Sequence, residues 1–68
     1  MDTTKLPTNM TFKDLGWVLN WTTFGKSTLH ALVAAGDFPK PIRLGKRRVA
    51  WRLSDLLTWA ESREVARQ

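Results

Sequence analysis

The stretch KPIRLGKRRVAWR, residues 40–52, decides how this chain folds. Apolar and polar residues alternate on both sides of Gly45, through Pro41-Ile42-Arg43-Leu44 before it and Arg48-Val49-Ala50-Trp51-Arg52 after it. A period of two marks a half-buried strand, and two such runs around a glycine form a hairpin. Ile42, Leu44, Val49 and Trp51 are expected to face inward, and Arg43, Arg48, Ala50 and Arg52 outward. A two-residue turn at 45–46 and a four-residue loop at 45–48 both keep this parity, so alternation alone does not choose the register. The same thirteen positions hold six of the chain's eleven basic residues (Lys40, Arg43, Lys46, Arg47, Arg48 and Arg52) and no acid. Protecting an edge strand from aggregation takes only one or two such charges. A hairpin with a basic tip can instead track phosphates, or reach into a minor groove with arginine.

Upstream of the hairpin, punctuation defines a helix over 26–35, KSTLHALVAA. Gly25 serves as its N-cap, Gly36 stands where a left-handed C′ residue is wanted, and Pro39 bars continuation. Leu29, Leu32 and Val33 form its buried stripe. At about 100° per residue, Ser27, Ala31 and Ala34 point directly away from that stripe, flanked by Thr28, His30 and Ala35. A solvated helix face ordinarily carries Glu and Lys. This one is small and nearly uncharged, which suits close approach to another surface. In a helix-turn-helix that surface is the major groove, where Ser and Thr hydrogen-bond and Ala touches thymine methyls.

Phe12, Leu15, Val18 and Leu19 recur at helical spacing, which predicts a first helix over about 12–20, with Thr11 and Asp14 close to a capping box. WTTFG at 21–25 reads as a turn. Past the hairpin, Ser54 is expected to cap a third helix over about 55–66, with Leu56, Leu57 and Ala60 on its apolar face and Trp59 on the flank. Residues 1–10 are polar and aperiodic and read as a flexible tail, which leaves 11–66 as the domain. The fold class is therefore α+β: three helices and a two-stranded hairpin.

Composition limits what such a domain can do. Sixty-eight residues make one small domain, and a chain of this size buries about 60% of its unfolded surface. With no cysteine and one histidine, disulfides, thiolate metal sites and histidine clusters are excluded, and the core must form by apolar packing. Four tryptophans and three phenylalanines make that feasible. Trp17 and Trp21, four apart, share a face, and one of the four tryptophans is expected to be exposed. A net charge of +5 points to a polyanion. No apolar run approaches a membrane span, and the N-terminus lacks the pattern of a signal peptide, so a cytoplasmic protein without a membrane partner is expected.

Other signals are weaker. GKST at 25–28 looks like the end of a phosphate-binding loop, but that motif needs a glycine where Asn20 stands, and a preceding strand where a helix is expected. His30 has neither a nucleophile nor an orienting acid near it in sequence. Asp14 and Asp55 lie at helix starts, where capping and the helix dipole account for them. Neither catalysis nor a cofactor is expected.

From Thr11 to Arg63 the chain resembles the AlpA-like family of small phage and prophage DNA-binding regulators, related to excisionases and to the MerR-type winged-helix head. The matching pieces are Ser27-Thr28-Leu29, Gly36-Asp37-Phe38-Pro39-Lys40-Pro41, Arg43-Leu44-Gly45, and Trp51 through Ser54-Asp55-Leu56 to Trp59. His30-Ala31 stand where the family usually has Tyr-Arg, and Gly25 replaces its usual Ser cap, so the family's usual DNA target is not carried over. The resemblance implies a winged helix-turn-helix with the second helix in the major groove and the hairpin as a wing on the backbone or minor groove. It implies a transcriptional regulator or an excisionase that directs recombination. Base readout is expected from Ser27, Thr28, His30 and Ala31, and backbone contacts from Lys26, Arg43, Lys46, Arg47 and Arg48. The expected partners are double-stranded DNA, an integrase or RNA polymerase, and further copies of the chain on repeated sites. The alternative is a protein-interaction module, a phage-encoded inhibitor or adaptor on the same fold.

Overall fold

A computed structural model describes residues 7–64. In chain order it has a 3-10 turn at Thr8–Met10, β1 (Phe12–Lys13), α1 (Leu15–Thr22), α2 (Lys26–Ala35), β2 (Ile42–Arg43), β3 (Val49–Arg52) and α3 (Leu53–Glu61). The strands form one antiparallel sheet in the order β1-β3-β2. The fold is thus α+β with three helices and the expected hairpin, plus a third strand.

That extra strand accounts for most departures from the sequence expectations. Phe12 pairs with Arg52 and Lys13 with Trp51, so residues assigned to the first helix are extended and Phe12 is exposed. Helix α1 therefore starts later, at Leu15. Its cap is Asp14 rather than Thr11, with the Asp14 Oδ1 accepting from the Trp17 N–H at 2.9 Å. The carbonyl of Thr11 instead accepts from the N–H of Leu53 at 2.8 Å. This satisfies one of the orphan donors at the start of α3. Helix α3 consequently starts at Leu53 with Arg52 at the cap position, and Ser54 is half-buried inside the helix rather than capping it. It ends at Glu61, well before the expected 66.

Residues 1–6 of the expected tail lie outside the described residues. Residues 8–10 form the 3-10 turn, tied by the Met10 N–H to the Pro7 carbonyl at 2.9 Å and packed against α3 and β3.

The core is Val18, Leu29, Phe38, Ala50, Trp51 and Leu56, drawn from the three helices, β3 and the α2–β2 loop. Trp51 meets Phe38 edge-to-face at 6.3 Å, and its Nε1–H donates to the Pro39 carbonyl at 2.8 Å. Trp59 packs on Phe38 at 4.6 Å and donates from Nε1 to the Asp37 carbonyl at 2.8 Å. Both indoles therefore hold the α2–β2 loop, Gly36 to Pro41, against the domain. Trp17 and Trp21 do share a face, stacked at 5.4 Å. No tryptophan is fully exposed: three are half-buried and Trp51 is buried. Leu57, expected inside, is 40% exposed.

Candidate nucleic-acid interface

Helix α2 has the predicted boundaries. Gly25 caps it in an extended conformation, and Gly36 ends it at φ 82, with N–H bonds back to Val33 and from Asp37 to Leu32. That left-handed φ disfavours any side chain. Leu29 is fully buried and Leu32 and Val33 half-buried, so the inward stripe is the expected one. Lys26, Ser27, Thr28, His30, Ala31, Ala34 and Ala35 are all exposed. The orientation of α2 is set by the short link from α1. There the Thr22 hydroxyl donates to the Val18 carbonyl at 2.8 Å and accepts from the Phe24 N–H at 3.2 Å, while Thr23 takes φ 65.

The wing differs from both turn geometries considered. Ile42 pairs with Ala50 and Arg43 with Val49, and the Leu44 N–H donates to the Arg48 carbonyl at 2.8 Å. The loop is therefore the three residues Gly45, Lys46 and Arg47. An odd loop reverses the parity, because directly opposed residues share a face. Ile42, Leu44, Arg48 and Ala50 lie on one face, and Arg43, Val49 and Trp51 on the other. Both faces of β3 are covered at Ala50 and Trp51, which are buried, and open toward the loop, where Leu44 and Val49, expected inside, are 49% and 46% exposed. Arg43 also organises the loop, with Nη1 donating to the Lys46 carbonyl at 3.3 Å.

All nine residues proposed from sequence are exposed: Lys26, Ser27, Thr28, His30 and Ala31 on α2, and Arg43, Lys46, Arg47 and Arg48 on the wing. The structure gathers them into two sets and places an apolar groove of about 250 Å³ between the elements that bear them. Leu15, His30, Val33, Ala34, Pro41, Val49 and Trp51 line it. Sequence reasoning assigned no role to this groove, because it forms only where the start of α1, α2 and the wing meet. The described residues contain no group of three or more His, Asp or Glu able to hold a metal ion, and no helix long and apolar enough to cross a membrane.

Residues 15–64 match the family described as prophage CP4-57 regulatory protein (AlpA). The chain belongs to the AlpA family. AlpA proteins are phage-type DNA-binding regulators. A further relative is the uncharacterised protein ORF88 of Enterobacteria phage P4, 31% identical over 51 residues, which cover 75% of this chain and 58% of that protein. The chain thus spans little more than half the length of the curated relative it matches. No solved structure matches it. The matched segment begins at the first residue of α1 and takes in α2, the wing and α3; β1 precedes it.

Proposed function

We propose that this AlpA-family chain binds duplex DNA sequence-specifically as a winged helix-turn-helix, without catalysis. Helix α2 enters the major groove with Ser27, Thr28, His30 and Ala31 at the base edges, while Lys26, Arg43, Lys46, Arg47 and Arg48 meet phosphates. The wing tip lies on the backbone or in the adjacent minor groove. The observation that carries this is the pairing of an exposed, nearly uncharged helix face with an exposed basic wing tip, Lys46-Arg47-Arg48, in a chain with five more bases than acids.

Bound in this way, the protein acts as a transcriptional regulator or as an excisionase. In the first role it meets RNA polymerase, and in the second an integrase. A domain this small covers little DNA, so copies occupy repeated sites side by side. It works in the cytoplasm.

Phosphate contacts give affinity without sequence information, whereas base-edge contacts give discrimination. Competition between a selected site and a scrambled duplex separates the two sets of residues. Arg47→Ala weakens binding to both duplexes by similar factors. Thr28→Phe removes the preference and leaves salt-sensitive binding. If Arg47→Ala erases only the preference, the wing is reading sequence through groove shape. If Thr28→Phe leaves DNA binding untouched, α2 is not in a groove and a protein-interaction module takes precedence.

A further inference from the structure

The apolar groove between α2 and the wing has no part in the hydrogen bonds and phosphate contacts of the duplex-binding surface. It is walled by His30 and Ala34 from α2, Pro41 and Val49 from the wing side, and Leu15 from the start of α1. Val49 is 46% exposed and stands directly opposite Arg43, on the same face of the hairpin. The groove is therefore edged by a cation on the wing, and its other wall continues the exposed face of α2. An occupant must be apolar where it enters and anionic where it passes Arg43 and the loop.

Duplex DNA has that combination at one kind of position. In the major groove, the apolar feature of the base edges is the thymine 5-methyl group, and the phosphates run alongside. We propose that this groove reads thymine 5-methyl groups, so that the preferred sites carry thymines where the duplex lies against His30, Ala34 and Val49. The proposal rests on the duplex-binding function above and names the base chemistry that its preference uses. Beyond Lys26 at its first residue, the exposed face of α2 carries no Arg, Asn or Gln, which leaves hydroxyls, one imidazole and methyl groups to meet the base edges. Methyl contacts therefore add discrimination to the hydrogen bonds of Ser27 and Thr28.

Replacing thymine by deoxyuridine removes the methyl and leaves base pairing, the minor groove and the phosphates in place. A preferred site is first obtained by selection from a random duplex pool. Its affinity is then compared with that of the same duplex carrying deoxyuridine throughout, with a scrambled duplex as reference. The expected loss is about fourfold per contacted methyl, the ratio that corresponds to about 0.8 kcal/mol for one buried carbon. Val49→Thr puts a hydroxyl in the groove wall at an exposed position, and a thermal melt confirms that the variant is folded. With it, the thymine-to-deoxyuridine ratio falls toward one.

Equal affinity of the native protein for the thymine and deoxyuridine duplexes overturns the proposal. So does a deoxyuridine loss that Val49→Thr and Ala34→Ser both leave unchanged, because the methyls are then read elsewhere. Salt-sensitive binding with no preference among duplexes overturns it too, while leaving backbone binding standing. Failure to bind any duplex at low salt overturns both this inference and the DNA-binding function.

Discussion

Trp51 links the wing to the core, and its replacement tests the packing most severely. It is 3% exposed, meets Phe38 edge-to-face, shares the core with Val18, Leu29 and Leu56, and donates to the Pro39 carbonyl. Truncating a buried tryptophan to alanine costs about 3–5 kcal/mol. At about 0.05–0.15 kcal/mol per residue, the whole domain is stable by roughly 3–10 kcal/mol. Trp51→Ala is therefore expected to remove most of the cooperative thermal transition. Trp51→Phe keeps the ring in the core but loses the indole N–H, leaving the Pro39 carbonyl without this donor. A hydrogen bond contributes about 1 kcal/mol net, and lost indole volume adds to that, for a total of about 1–2 kcal/mol. In a domain of this size each 1 kcal/mol lowers Tm by about 4–8 °C. Far-UV circular dichroism melts of the three proteins should therefore rank native, Phe and Ala in steps of this size. A shift of only a degree or two for Trp51→Ala would refute the packing, and would mean that the indole is a surface contact.

Two further predictions concern the frame that aims α2. Thr23 holds φ 65, a left-handed conformation that costs a side-chain-bearing residue about 1–2 kcal/mol, part of which glycine returns as unfolded-state entropy. Thr23→Gly should raise Tm by about 2–5 °C, and a fall would show that the Thr23 hydroxyl contact to the Thr22 carbonyl outweighs the strain. Asp14→Ala removes the α1 cap and should cost about 1 kcal/mol, with Asp14→Asn restoring most of it. Equal melting of Asp14→Ala and the native protein would deny Asp14 the capping role.

Helix α2 was legible from end to end because its signals are local. Gly25, Gly36 and Pro39 act on their own backbone, and the positions of Leu29, Leu32 and Val33 follow from helical periodicity. The starts of α1 and α3 were not legible, because both depend on pairing across forty residues, Phe12 with Arg52. Nothing local separates Phe12 from the helical stripe it extends in sequence. The hairpin was legible as a hairpin but its faces were not. Period-two alternation constrains each strand alone, whereas the relative parity depends on whether the loop holds an odd or an even number of residues. That choice sets Ile42 opposite Ala50 and Arg43 opposite Val49, so the apolar residues of the two strands fall on different faces. The exposure of all nine candidate site residues was readable from charge and helix geometry. The groove beside them was not, because it exists only once α2 and the odd-looped wing stand next to each other.

The central claim is that the basic wing and α2 bind duplex DNA through its phosphates. The most direct test is fluorescence anisotropy of a labelled duplex at several salt concentrations. If about four to six phosphates are neutralised, log K falls against log salt with a slope of roughly −4 to −5. A flat dependence, or no binding to any duplex at low salt, would contradict the account.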